Sequence, residues 1–341
     1  MRQLTLLLLL LLLFSSMTIF SQHEDIEMCG TSKIIEEALK DSEKKPPRPK
    51  PPVEVRPRRL SVTDIEQWMR DPYSIYASHI LKLSRLKPID EEPNNAEFGS
   101  LIHSTLEKFL SRHPSGPLPP NSYEKLLSTG KEVFSPIIEM PAVWAFWWPR
   151  FERIAGWIVK TELLNRKNIK RIFTEIKGSH IIRNLPHANF EIVAKADRIE
   201  QLNDGTLKII DYKTGSIPND KEITAGFSPQ LPLEAVIAIN GGFHDLPSAK
   251  VSKLEFWKIT GGQAEGEIHS IGSNEASYFE TEKIGSKAKN GLIELITAFD
   301  NPETPYESRP RVDFAPAYSD YEHLARIKEW SIISLDSKDQ Q

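Results

Sequence analysis

The chain has 341 residues, 39% apolar and 26% charged, the balance of a globular protein rather than a fibrous or disordered one, and its length fits one large domain of about 200 to 250 residues plus extensions. A formal net charge of −4 gives no global attraction to nucleic acid, so any such affinity must come from a local basic face or from bound cations. The single cysteine, Cys29, excludes an internal disulfide, a cysteine zinc cage and an iron–sulfur cluster, while nine histidines without a His-Glu-x-x-His spacing give no support to a zinc protease.

Met1-Arg2-Gln3 leads into an unbroken run from Leu6 to Leu13 and an apolar stretch to Phe20. This resembles a secretory signal, although the run is short for a membrane span and only Ser21 is suited to the position before cleavage. Export or anchoring through residues 1–21 is one reading. The preferred one is a cytoplasmic protein without an obligatory membrane partner, whose leader is a non-native start on a truncated reading frame. A polar segment continues to residue 44. Residues 45–59, KPPRPKPPVEVRPRR, lack apolar periodicity and read as an extended Pro-rich basic linker.

The folded domain is expected over 60–300. Ser61 or Thr63 caps a helix with Ile65, Trp68 and Met69 on one face, and Asp71-Pro72 interrupts it before a second run through Tyr76, Ile80 and Leu83. A third helix is predicted from about Ala96 to Leu110, and the loop 114–121 follows. Trp144, Trp147, Trp148 and Trp157 then recur at helical spacing, which reads as a buried stripe rather than a set of base-stacking platforms. The texture changes to strands at Ile172–Ile182, Phe190–Leu202 and Leu207–Lys213, an antiparallel meander. A helix over Gln230–Ile239, a strand over Ser252–Ile259 and a long helix over Thr281–Phe299 complete the pattern. Residues 301–341 form an extension with a short helix near Tyr321–Trp330. The class is α/β, a central mixed sheet flanked by helices.

Strand alternation puts Asp211 and Lys213 side by side on one face of the strand LKIIDYK. Phosphodiester hydrolysis needs hard oxygen ligands for a cation such as Mg²⁺ or Mn²⁺, and a lysine can orient the attacking water; an isolated Asp-x-Lys is also what an exposed ion pair looks like. Asp197 on the preceding strand supplies a second acid. A strict two-residue turn at Asp204-Gly205 would turn Asp197 away. A three-residue loop, Asn203-Asp204-Gly205, would bring Asp197 opposite Asp211 on the same face, and this odd-length loop is the prediction. On the third helix His103 lies one turn from Gly99, at the edge of the stripe made by Phe98, Ile102, Leu106 and Phe109. Glu175, in the first strand, is either a further acid near the site or a solvent-facing strand residue, the second being the preferred reading.

The segments FGSLIH at 98–103, ADR at 196–198, DYKTG at 211–215 and QLPLE at 230–234 follow the motif order of RecB-like nucleases, so the chain resembles the PD-(D/E)XK superfamily and its restriction-endonuclease-like fold. With RLSVTDIEQWMRDPYSIYA at 59–77 and PYESRPR at 305–311, it is most similar to the C-terminal nuclease domain of alphaproteobacterial AddB-type double-strand-break repair proteins, over about residues 46–335. The resemblance implies a Mg²⁺-dependent deoxyribonuclease in which His103, Asp197, Asp211 and the Tyr212 carbonyl hold the metal, Lys213 assists the water and Gln230 positions substrate. It implies DNA single strands or ends as substrate, in repair and recombination, and an AddA-like helicase–nuclease as partner. The chain departs from the pattern at Glu234, where such proteins often carry tyrosine. It also lacks a Gly-x-x-x-x-Gly-Lys-[Ser/Thr] loop, so no ATP site is expected. The competing readings are a non-catalytic DNA- or helicase-binding module of the same fold, and an exported nuclease.

Overall fold

The computed structural model describes residues 46–86, 93–272, 278–316 and 318–331. The apolar leader, Cys29 and the polar segment up to residue 44 lie outside the described residues. Among the described residues no helix is long and apolar enough to cross a membrane.

The chain enters through the Pro-rich stretch, which is extended as its prolines dictate and is also tied down. Arg56, buried, donates to the carbonyls of Phe299 (2.7 Å), Asn301 (3.0 Å) and Pro302 (3.0 Å), satisfying orphan acceptors at the end of a helix. Arg58 pairs with Asp300 at 2.6 Å, and Tyr306 N–H donates to the Pro49 carbonyl at 2.9 Å. A short strand β1 (Arg59–Ser61) then feeds α1 (Val62–Arg70), which Ser61 and Asp64 open with reciprocal caps. Pro72 starts the brief α2 (Pro72–Ile75), continued by a π-helical turn at Tyr76–Ile80. Leu83 lies beyond that turn, exposed.

Three helices follow: α3 (Asn95–Ser111), α4 (Ser122–Phe134) and, after a π-helical turn at Val143–Trp147, α5 (Trp148–Asn165). The buried tryptophan stripe expected from the spacing is only partly realised. Trp148 is buried, but Trp144 is 55% exposed, because the wider π turn changes the angular step and rotates it off the core face.

The sheet is mixed and six-stranded: β1, β2 (Ile169–Ile182), β3 (Phe190–Leu202), β4 (Leu207–Lys213), β5 (Val251–Lys258) and β6 (Glu267–Ser270). β3 pairs antiparallel with β2 along one edge; on the other it meets β1 in parallel and β4 antiparallel. β5 joins β4 in parallel and β6 closes the order antiparallel. Helices α6 (Asp220–Ala225), α7 (Gln230–Ile239) and α8 (Tyr278–Phe299) complete the layers. Turns over 320–326 lead into the last short helix, Ile327–Ser331.

One core lies between the sheet and α1, α7 and α8, built on Ile192, Ala194, Ile199, Ile209 and Phe256. The other lies between the sheet and α3, α4 and α5, built on Ile210, Tyr212 and Trp257. This is the mixed sheet between helical layers expected from the sequence. β4 and β5 are covered on both faces, and they bury Asp211 and Glu255 among their apolar residues.

The β3–β4 hairpin has the odd loop. Leu202 N–H donates to the Thr206 carbonyl at 2.8 Å, and Gly205 takes a φ of 86°, a left-handed conformation that glycine adopts without strain. The register is Arg198 with Ile210 and Ile199 with Ile209, so Asp197 falls opposite Asp211.

Candidate active site

The expected single face does not survive in β3. Ile192, Ala194, Ala196 and Ile199 all join the core beneath α7, so the alternation slips between Ala196 and Ile199. The β2–β3 ladder skips the Glu175/Asp197 position, and Glu175 has a φ of 51°, unusual for a non-glycine residue within a strand. Asp197 therefore turns toward α3 with Lys195. Asp211 keeps the regular phase of β4 and turns toward α7. Their carboxylates approach across the end of the hairpin, where the ladder stops and Tyr212 N–H donates to Asp197 Oδ2 at 2.8 Å.

On the α3 side, His103 Nδ1 lies 3.3 Å from Asp197 Oδ1. Gly99 brings α3 close enough for this, since a Cβ there would meet Thr214 Oγ1 at 2.9 Å. Candidate ligand atoms of His103, Glu175 and Asp197 all lie within 4.8 Å of one another. Burial acts to lower the His103 pKa, but the hydrogen bond and charge of Asp197, with Asp211 and Glu175 behind, outweigh it and hold the imidazole above its ordinary value. Glu175, read from sequence as solvent-facing, has a side chain only 12% exposed and pairs with Lys195. The irregular backbone at this skipped pair turned it inward, and no local sequence signal announced the irregularity; a mid-strand acid two strands from the Asp-x-Lys pair was the only hint.

On the α7 side, Lys213 Nζ lies 2.8 Å from Asp211 Oδ2 and donates to Gln230 Oε1 at 3.2 Å. Gln230 Nε2 donates to Asp211 Oδ1 at 2.5 Å and reaches Glu234 Oε1 at 3.4 Å, one turn along α7. Burial lifts the Asp211 pKa to about 6; Lys213 opposes the rise and Asp197 adds to it. Glu234 is fully buried, with one carboxyl oxygen lacking a hydrogen-bond partner among the described residues. Burial, then the charges of Asp211 and Asp197, push its pKa far above the carboxylate range. Burial acts to lower Lys213, but Asp211 keeps it above its ordinary value, hence cationic.

The structure thus brings His103 and Asp197 together with Glu175, and Asp211 together with Lys213 and Gln230. Asp211 lies outside the three-residue group that gathers ligand atoms. Tyr212 bridges the two groups: its amide is committed to Asp197, its ring packs edge-on to His103 at 5.8 Å, and its hydroxyl accepts from Arg198 at 3.2 Å.

Residues 59–312 match the family model described as the PD-(D/E)XK nuclease superfamily. A Rickettsia bellii protein called uncharacterized is 36% identical over 278 residues, 79% of this chain and 32% of that protein. The uncharacterized protein RT0391 of Rickettsia typhi is 36% identical over 212 residues, 60% of this chain and 24% of its own length. An ATP-dependent helicase/deoxyribonuclease component of Streptococcus pyogenes serotype M12 is 27% identical over 179 residues, 51% of this chain and 16% of that protein. The chain spans about a third or less of the length of these curated relatives.

Proposed function

The chain belongs to the PD-(D/E)XK nuclease superfamily, and on that premise we propose that it is a divalent-cation-dependent deoxyribonuclease of AddB-like type. The observation that carries this reading is the convergence of His103, Glu175 and Asp197 beside the Asp211–Lys213 pair. The donor set fits a hard cation: two carboxylates favour Mg²⁺ or Mn²⁺, and one imidazole is compatible with the latter. His103, Glu175 and Asp197 would hold it, with Asp211 and the Tyr212 carbonyl as the remaining donors at the junction. When bound, such a cation stabilises charge on the phosphate and lowers the pKa of water near it.

The chain's own residues then divide the work. Lys213, kept cationic by Asp211, orients the attacking water and faces the phosphate charge. Gln230 fixes Asp211 and Lys213 relative to each other through one amide group. Asp197, tied to the Tyr212 amide, fixes β3 against β4 where the ladder ends. The similarity to a helicase/deoxyribonuclease component supports DNA as substrate and a helicase as partner; single strands or ends, an AddA-like partner and a cytoplasmic place in double-strand-break repair extend that reading through the motif resemblance.

The test is cleavage of end-labelled single- and double-stranded DNA by the purified chain with Mg²⁺, Mn²⁺ or EDTA. Cation-dependent cleavage of single strands is expected. Cation binding without cleavage would leave instead a DNA-binding module of the same fold.

A further inference from the structure

Lys213 stands between two recesses. One, of about 530 Å³, contains His103, Glu175 and Asp197. The other, of about 410 Å³, opens on the far side of Lys213 and is lined by Glu66, Arg70, Ile217, Pro218, Ser228 and Gln230. We propose that this second recess is a nucleotide subsite, seating one nucleoside monophosphate unit of a DNA strand next to the scissile phosphate. The proposal deepens the nuclease reading above and rests on it.

A phosphate placed at Lys213 and the ligand group belongs to a polymer that must leave in two directions. The two recesses sharing Lys213 open there on either side. A volume of about 410 Å³ falls within the roughly 300–1,000 Å³ of sites that enclose a small organic ligand, so it suits one unstacked nucleotide rather than a duplex. The lining has the required mixture. Ile217, Pro218 and Pro316 offer apolar faces against which a base can lie, while Gln230 and the acids of Glu66 and Glu222 offer groups to its edges.

Arg70 is fixed in the wall by Glu66 (3.3 Å), Glu222 (3.2 Å) and the Phe227 carbonyl (3.1 Å). Its charge is thereby balanced, so the recess selects by shape and hydrogen bonding and leaves phosphate attraction to Lys213. Ser228 lies in the wall between this recess and a larger one beside α8; it is 1% exposed, and its hydroxyl has no hydrogen-bond partner among the described residues. A buried hydroxyl without a partner costs free energy that a bound polar group would recover.

The experiment titrates thymidine monophosphate into the full ¹⁵N-labelled chain, in EDTA and in Mg²⁺, and follows backbone amides. Shifts centred on Ile217, Glu222, Ser228 and Gln230 are expected at millimolar nucleotide. Ser216→Trp, an exposed wall position pointing a large side chain at the recess, should abolish them and raise KM for single-stranded DNA about tenfold, with Mn²⁺ affinity unchanged. Thr63→Trp on the opposite wall should do the same, so that one misfolded variant does not decide the matter. Shifts confined to the His103 recess, no shifts at all, or folded tryptophan variants with wild-type KM would overturn the subsite. If the wild type cleaves nothing with any cation, the nuclease reading fails, while the titration still decides whether the recess takes a nucleotide.

Discussion

Asp197 and Arg198 are consecutive residues of β3, yet they serve opposite kinds of charge cluster on the same side of the sheet. Arg198 is sealed. It is 0% exposed, donates to Glu162 of α5 at 2.6 Å, sits 2.5 Å from Glu200 and lies 5.0 Å from the ring centre of Trp257. Arg166 completes Glu162 at 2.8 Å and Lys208 completes Glu200 at 2.7 Å, so each charge has an opposite neighbour. The Asp197 group is half-open, with side chains of His103 and Asp197 27% and 13% exposed, and it gathers two carboxylates and an imidazole, with Lys195 paired to Glu175 and Lys213, at the edge of the recess, paired to Asp211. The contrast teaches where ligand binding has been left room. A closed, neutralised network holds a strand in register, whereas a group short of positive charge and open to solvent can take a cation. The break in alternation at Asp197 lets one strand serve both.

Four substitutions sharpen that contrast. The largest effect is expected from Lys213→Ala: kcat on single-stranded DNA should fall by about 10²–10⁴, the range for losing a positioned proton-handling group, while Mn²⁺ affinity measured by calorimetry stays near wild type. Asp197→Asn should instead lose cation affinity. If both variants lose affinity equally, the separation of the open ligand group from the Asp211–Lys213 pair is wrong.

Next is Arg198→Met, which leaves the buried Glu162 and Glu200 charges short of a partner and should cost about 3–5 kcal/mol in urea unfolding. Asp197→Asn, one residue away, should cost far less in the absence of cation, because it relieves like charges at a half-open site. Equal destabilisation by the two would erase the distinction between sealed and open clusters.

The smallest effect concerns Glu234, whose folded-state pKa lies well above its unfolded value. Folding at neutral pH must keep this carboxyl protonated while the unfolded chain would release the proton, so the group disfavours folding above the unfolded carboxylate pKa of about 4.3 and not below it. Glu234→Gln should therefore raise the melting temperature at pH 7 and leave it unchanged near pH 3. Asp211, lifted to about 6, contributes in the same direction, so stability of the cation-free wild type should lose some of its Asp211 contribution as pH rises from about 4 through 6. A Glu234→Gln gain that persists undiminished at pH 3 would rule out the buried neutral acid.

The sequence by itself determined the elements and much of their order. The limits of β3 and β4 follow from the apolar runs and the Asn-Asp-Gly punctuation, and the start of α1 from a cap at Ser61 or Thr63. The register that sets Asp197 opposite Asp211 follows from the loop's odd length. These are local or pairwise constraints, written in side-chain period and turn chemistry. Tertiary structure alone decided which face each acid would occupy. The slip at Asp197 arises where β3 is pulled toward α5 by Arg198 and Glu162, residues 36 apart in the chain, and no window of sequence contains both ends of that contact. The same slip turned Glu175 from a solvent-facing position into a member of the ligand group, and a π turn exposed Trp144 from a stripe that helical spacing had buried. Periodicity predicts faces only while the backbone repeats, and at this site packing from distant helices broke the repeat.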